Sequence, residues 1–74
     1  MIEILNTKEG GYTIKAYMPE NEKEEQQLIA EIYNGAEKVS VLRIPMKHKP
    51  TFGPHVEDIE HMNKMVHEEL DKMS

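Results

Sequence analysis

Cysteine and tryptophan are absent from this chain, and its aromatic residues are limited to three tyrosines and one phenylalanine. Without cysteine, the chain can form neither disulfide bonds nor zinc sites built on thiolates. A chain of 74 residues has room for one domain, and at this size only about 60% of the unfolded surface becomes buried. Such a core rarely contributes more than roughly 3–5 kcal/mol unless disulfides, a metal or oligomerisation assist it. The sequence therefore predicts a single domain over residues 1–74 that relies on regular packing or on a partner.

Long apolar segments and an excess of positive charge are missing as well. No apolar run approaches the roughly 20 residues that span a membrane, and the N-terminal segment lacks the basic and apolar regions of a signal peptide. The expected location is therefore the cytoplasm, without membrane contact. The net charge of −5 opposes non-specific attraction to phosphate backbones, which makes general nucleic-acid binding an unfavoured function.

Alternating apolar residues predict a β-hairpin in the first part of the chain. Apolar residues recur at every second position, at Ile2 and Ile4 and again at the even-numbered positions from Tyr12 to Met18, as in half-buried strands. Gly10 and Gly11 lie between them and tolerate the positive φ angles of a tight hairpin turn. Pro19 cannot donate to a strand ladder, so the second strand is expected to end there.

Residues 21–34 allow two interpretations. As a helix, Asn21 would cap the N-terminus with Glu24 three residues later, and Gly35 would end it. As a strand, the segment leads into Asn34-Gly35, the strongest short hairpin signal. A two-residue turn at that point implies the pairs Glu31 with Lys38, Ala30 with Val39 and Leu28 with Val41. These pairs give one apolar face and one pair of opposite charges, so the strand is favoured, followed by a fourth strand over residues 37–44.

A proline-rich connection is expected to lead from the fourth strand to a helix. Residues 46–54 contain two prolines and a glycine, which is typical of an ordered loop. Phe52, the only phenylalanine, is expected to pin this loop to the core. Pro54 suits the first helical position, and Glu57 and Asp58 lie near the positive end of the helix dipole.

The C-terminal segment is amphipathic. Its apolar side chains recur at three- and four-residue steps and form one stripe, which is expected to face the sheet: Val56, Ile59, Met62, Val66, Leu70 and Met73. The opposite row carries charges of alternating sign at four-residue spacing and is expected to be solvated: Glu60, Lys64, Glu68 and Lys72. The predicted fold class is α+β, a four-stranded, mainly antiparallel sheet of two hairpins with one C-terminal helix on one face. This order is ββββα, and ββαβα is the alternative.

The sequence contains no constellation typical of catalysis. His55, His61 and His67 are six residues apart, whereas two ligands on one helix need three- or four-residue spacing. Carboxylates occur in runs that are typical of solvated surface, and no glycine-rich nucleophile elbow is present. The chain is therefore predicted to be non-enzymatic, without catalytic residues, metal or cofactor.

Two surface features point to binding. One helix covers only one face of the sheet, and the other face is expected to expose an apolar patch, which commonly marks an interface: Leu5, Tyr17, Ile29, Tyr33 and Leu42. The opposite face would carry the core: Ile2, Ile4, Tyr12, Ile14, Ala16, Met18, Leu28, Ala30, Ile32, Val39 and Val41. The second feature is a basic cluster in an acidic chain: Arg43, Lys47, His48 and Lys49.

These features predict a protein-interaction or regulatory module that binds a protein partner or itself, with a homodimer as the first expectation. The alternative is a weak single-stranded nucleic-acid binder. In that case Tyr17 and Tyr33 would stack on bases, and Lys15 and the basic cluster would contact phosphates.

Overall fold

The structure is a computed structural model that describes residues 1–50 and 52–73. Within these residues four strands are followed by one helix: β1 (Ile2–Glu9), β2 (Tyr12–Met18), β3 (Gln27–Asn34), β4 (Glu37–Pro45) and α1 (Val56–Met73). The strands form one antiparallel sheet in the order β1-β2-β3-β4. The predicted ββββα arrangement is confirmed, and the alternative with a helix before the third strand is wrong because Gln27–Asn34 is a strand.

Glycines with positive φ form both hairpin turns. Gly10 and Gly11 have φ angles of 57° and 85°, and Glu9 pairs with Tyr12 across this two-residue turn. Adjacent positive φ angles match the right-handed twist of the flanking strands. In the second hairpin Gly35 has a φ angle of 64°.

The second turn lies one residue later than predicted. Asn34 is the last residue of β3 and pairs with Glu37, so the turn consists of Gly35 and Ala36. The glycine therefore occupies the first turn position, where the positive φ is needed.

The core lies between α1 and one face of the sheet, called here the inner face. Its buried apolar members come from β2, β3, β4 and the helix: Ile14, Ala16, Met18, Leu28, Ala30, Ile32, Ile44, Met62 and Val66. In β2 and β3 these residues alternate with partly exposed ones, as the two-residue period of a strand requires. The predicted inner-face positions of these two strands are therefore confirmed.

A β-bulge in β4 changes the predicted pairing of the second hairpin. Tyr33 pairs with Lys38 but Ile32 pairs with Ser40, so Val39 is an extra residue on β4. Beyond the bulge, the pairs are Glu31 with Val41, Ala30 with Leu42 and Leu28 with Ile44. The predicted partners Lys38, Val39 and Val41 for these three residues of β3 are wrong.

Burial explains this register. The bulge brings Ile44, which is fully buried, opposite Leu28. Leu42 pairs with Ala30 and packs against the core, so its predicted place on the solvent-facing side is wrong. Val39 and Val41 are 38% and 42% exposed, and their predicted place in the core is wrong as well.

A second bulge in β1 moves Leu5 to the inner face. Glu3 pairs with Tyr17 and Leu5 with Ala16, which leaves Ile4 as the extra residue. Ala16 is fully buried, and both Ile4 and Leu5 pack against the core. The predicted position of Leu5 on the solvent-facing side is therefore wrong.

The β4–α1 connection also departs from prediction at three residues. Phe52 is fully exposed, so it does not anchor the loop to the core. The helix begins at Val56 rather than at Pro54, and Val56 itself is 62% exposed instead of facing the sheet.

Asp58, in the first turn of α1, anchors the loop instead of Phe52. Its buried carboxylate accepts hydrogen bonds from the backbone N–H groups of Lys47 at 3.0 Å and His48 at 3.2 Å.

Polar contacts fix the second half of α1 to the sheet. The Ser40 hydroxyl donates to the Glu69 carboxylate at 2.6 Å, and His67 Nε2 lies 2.9 Å from Glu9 Oε1 at the first hairpin. Within the described residues no helix is long and apolar enough to cross a membrane.

Candidate functional site

The sheet face opposite α1, called here the outer face, consists of three rows of cross-strand neighbours. Each row has one residue from each strand, in the order β1, β2, β3 and β4. The first row is Glu3, Tyr17, Ile29 and Arg43. The second row is Asn6, Lys15, Glu31 and Val41, and the third is Lys8, Thr13, Tyr33 and Lys38.

Three of the five residues predicted to bind a partner lie together on this face. Tyr17 and Ile29 are direct cross-strand neighbours, and Tyr33 lies two rows away on the same strand as Ile29. Leu5 and Leu42 belong to the inner face, as described above. Val41 supplies an apolar side chain to the outer face that the sequence reasoning assigned to the core.

A carboxylate network occupies the middle of the outer face. The Glu31 side chain is only 17% exposed. Its Oε1 accepts a hydrogen bond from the Tyr33 hydroxyl at 3.0 Å, and its Oε2 lies 2.8 Å from Lys38 Nζ. The hydrogen bond from Lys38 lowers the pKa of Glu31 and outweighs the opposing effect of desolvation. The same bond raises the pKa of Lys38.

The two tyrosines of this face remain protonated well above neutral pH. The hydrogen bond to Glu31 raises the pKa of Tyr33, and desolvation followed by the Glu31 charge raises the pKa of Tyr17. Lys15 Nζ lies 5.1 Å from the centroid of the Tyr33 ring, within the range of a cation–π contact. The hydrogen bond to Glu31 and the Lys15 ammonium over the ring therefore fix the Tyr33 side chain at two points.

The charge of the outer face differs in sign from that of the chain. Its three rows carry four basic side chains and two acidic ones, a net charge of +2, whereas the whole chain has −5. The acidic residues are thus concentrated elsewhere, on α1 and on the segment between β2 and β3.

The predicted basic cluster is divided by the fold. Arg43 lies on the outer face beside Ile29. Lys47, His48 and Lys49 belong to the connection after β4, where His48 Nε2 lies 3.3 Å from Glu57 Oε2 and Lys49 Nζ lies 3.5 Å from Glu22 Oε1. Two of the four members therefore have acidic neighbours, which weakens the cluster as an anion-binding patch.

A second apolar feature lies on the other side of the sheet. A groove of about 740 Å³ runs between the start of β1, the end of β2 and the β4–α1 connection. Its apolar lining includes Ile2, Met18, Ile59 and the exposed Phe52. Sequence reasoning missed this groove because it depends on where the loop folds.

Replacing Glu31 tests the network in the middle of the outer face. Folding lowers the pKa of Glu31, so the ionised carboxylate stabilises the folded protein at pH values above its ordinary pKa of 4.5. This contribution is lost as the pH falls through the folded-state pKa. We expect Glu31→Gln to lower the free energy of unfolding by about 1–2 kcal/mol at pH 7 and by less at pH 3, where a smaller fraction of the wild-type Glu31 is ionised. Urea unfolding at both pH values measures this, and equal losses at the two pH values would contradict the role of the ionised carboxylate.

Comparisons with known proteins give no relative from which a function could be inferred. The chain matches no protein-family model, no curated protein and no solved structure.

Proposed function

We propose that this protein is a non-enzymatic interaction module that self-associates through the outer face of its sheet. No described element covers this face, because α1 packs against the inner face. Tyr17, Ile29, Tyr33 and Val41 give it apolar surface among charged neighbours. An apolar patch with a polar rim on a small domain commonly marks an interface.

The edges of the sheet are poorly suited to pairing with a second chain. Both edge strands carry a bulge, at Ile4 in β1 and at Val39 in β4, and β4 ends at Pro45. Bulges and prolines interrupt the regular row of N–H and C=O groups that an added strand requires. Association through the face is therefore favoured over association through an edge.

The observation that carries the proposal is that two of the three rows of the outer face are complementary in charge to their own copies. A two-fold axis between two stacked sheets and parallel to their strands brings β1 of one copy over β4 of the other, and β2 over β3. Each row then faces its own copy, which gives six pairs: Glu3 with Arg43, Tyr17 with Ile29, Asn6 with Val41, Lys15 with Glu31, Lys8 with Lys38, and Thr13 with Tyr33.

The charges agree with this arrangement in two of the three rows. Glu3 meets Arg43 at both ends of the first row, and Lys15 meets Glu31 in the second. Lys8 and Lys38 meet at the ends of the third row and repel each other, but the ion pair of Lys38 with Glu31 at 2.8 Å offsets part of the Lys38 charge. Opposite charges that face each other across a symmetric interface fix its register and orientation.

The size of the face sets the expected affinity. Strands spaced about 4.8 Å apart and about seven residues long give a flat area of roughly 19 Å by 24 Å. This area is below the roughly 800 Å² that each partner buries in a stable interface of standard size. A reversible dimer that forms at micromolar or higher concentration is therefore expected.

Single-stranded nucleic acid is the second candidate for the same face. The local charge of +2 and the two tyrosines favour it. Against it, Lys15 lies over the ring of Tyr33, and the ionised Glu31 would lie among the bases and phosphates. Binding that falls steeply with salt would identify this function.

Sedimentation equilibrium of the wild type and two variants tests self-association. We expect the wild type to form a dimer whose fraction rises with concentration and Ile29→Glu to remain a monomer, because the substitution buries a carboxylate against the partner's Tyr17. Within the chain, Arg43 pairs with position 29 and can accommodate the new charge. Phe52→Ser is the matched control, since it removes an exposed apolar side chain at the groove and should leave the dimer unchanged.

Two results would contradict the proposal. One is a wild-type protein that stays monomeric up to millimolar concentration. The other is a dimer that Phe52→Ser disrupts and Ile29→Glu does not, which would place the interface at the groove.

A further inference from the structure

The β4–α1 connection brings two histidines and a carboxylate together at the start of the helix. His48, His55 and Glu57 each offer one nitrogen or oxygen atom, and these atoms all lie within 4.8 Å of one another. The imidazole rings of His48 and His55 are stacked with centroids 3.8 Å apart and planes inclined by 19°. All three residues are at least partly exposed, so an ion can reach them from solvent.

Backbone contacts hold each member of this cluster in place. The N–H of His48 donates to the buried carboxylate of Asp58, which ties the loop to the first turn of α1. The carbonyl of His55 accepts the first hydrogen bonds of the helix, from the N–H groups of Asp58 and Ile59. Glu57 lies in that same first turn. The backbone positions of the three residues are thus fixed before any ion binds, which lowers the entropic cost of assembling a site.

We propose that His48, His55 and Glu57 bind a divalent transition-metal ion of the zinc class, with water completing the coordination. Two imidazoles and a carboxylate are a ligand set that zinc accepts in a tetrahedral site with one open position. Bonds of about 2.0–2.2 Å at a tetrahedral angle place two ligand atoms roughly 3.3–3.5 Å apart. His48 Nε2 and Glu57 Oε2 are 3.3 Å apart.

That distance is long for a charge-assisted hydrogen bond, which is typically about 2.7–2.9 Å. The contact between His48 and Glu57 is therefore a weak one that a cation can replace. The ion would lie between His48 Nε2 and Glu57 Oε2.

Binding requires one rearrangement with a measurable consequence. Parallel stacked rings direct their nitrogen lone pairs side by side, so at least one ring must turn for both to reach one ion. His55 Nδ1 also accepts a hydrogen bond from the N–H of Glu57 at 3.1 Å, and coordination through Nδ1 replaces this bond. The affinity is therefore expected to be below that of a preformed structural zinc site, and the Glu57 amide should report on binding.

Isothermal titration calorimetry with zinc chloride on the untagged full chain tests the site, because a polyhistidine tag would bind the same ion. We expect one zinc ion per chain, and an affinity that falls by at least about tenfold in His48→Ala and in His55→Ala. His61→Ala is the matched control, since His61 is an exposed histidine of α1 outside the cluster and should leave the affinity unchanged.

Nuclear magnetic resonance of the wild type gives a second readout that does not depend on any variant folding. We expect zinc to shift the amide resonance of Glu57 and the ring resonances of His48 and His55, while those of His61 stay in place. The proposal is overturned if zinc does not bind, if binding persists unchanged in both alanine variants, or if the shifts centre on His61 or His67.

Discussion

Reversing the charge of Glu3 or of Arg43 is expected to weaken dimer formation by at least about tenfold, and reversing both in one chain is expected to restore it. In the two-fold arrangement these residues face each other at both ends of the first row. The axis repeats every contact, so Glu3→Arg alone creates two pairs of like charge, and so does Arg43→Glu. In the double variant the two positions exchange their charges, so that opposite charges meet again at both ends of the row.

Sedimentation equilibrium of the four proteins measures this effect. Lys64→Glu is the control, because it changes the net charge by the same amount as Arg43→Glu but lies on α1, away from the outer face. Circular dichroism and thermal unfolding of each variant verify that the monomer stays folded. Two single variants that associate like the wild type, or a double variant no better than the singles, would rule out this two-fold arrangement.

Removing the carboxylate of Asp58 is expected to destabilise the fold more than any surface substitution. Asp58 is 1% exposed and accepts hydrogen bonds from the backbone N–H groups of Lys47 and His48. In Asp58→Ala both donors lose their partner, and each unsatisfied group costs about 1–3 kcal/mol. A loss of about 2–4 kcal/mol is comparable with the whole stability of a core this small, roughly 3–5 kcal/mol.

Chemical denaturation monitored by circular dichroism tests this expectation. Asp58→Asn keeps one acceptor oxygen and should fall between the wild type and Asp58→Ala. Glu60→Ala removes an exposed carboxylate two residues later and should change the free energy of unfolding by less than about 0.5 kcal/mol. If Asp58→Ala unfolds at the same denaturant concentration as Glu60→Ala, Asp58 does not hold the loop.

The strands and their order could be predicted because the alternating pattern and the turn glycines agree. The segment before Asn34 could be assigned to a strand rather than a helix, because pairing it in a hairpin gives it one apolar face. This agrees with the turn signal that follows it. The predicted register is wrong because the turn lies one residue later than expected and because a bulge then changes which residues face the core. In β4 the apolar residues Val39 and Val41 are out of phase with Leu42 and Ile44, so the pattern alone does not decide which pair faces the core.

The outer face could be predicted only in part for the same reason. Tyr17, Ile29 and Tyr33 lie on regular stretches of β2 and β3, where alternation alone assigns a side. Leu5 follows a bulge in β1, and Leu42 follows one in β4, so alternation assigns both to the wrong side. The position of a β-bulge depends on how the core packs, and the alternation of apolar and polar residues carries no information about that packing.

The features of the β4–α1 connection could not be predicted from spacing. A search for ligands at helical spacing overlooks His48 and His55, which a loop brings into contact. The size of Phe52 favours it as the anchor of that loop, whereas Asp58 anchors it through backbone hydrogen bonds. An aspartate in the first turn of a helix is common for electrostatic reasons, so nothing in the sequence singles it out as buried.

An isotope-filtered nuclear Overhauser experiment on a mixture of labelled and unlabelled chains tests self-association through the outer face most directly. The filter removes contacts within one chain, so only contacts between two copies remain. We predict intermolecular signals between the Tyr17 ring and the Ile29 side chain and between the Tyr33 ring and the Thr13 methyl group. Intermolecular signals confined to the groove around Phe52, or none at millimolar concentration, would contradict the proposed interface.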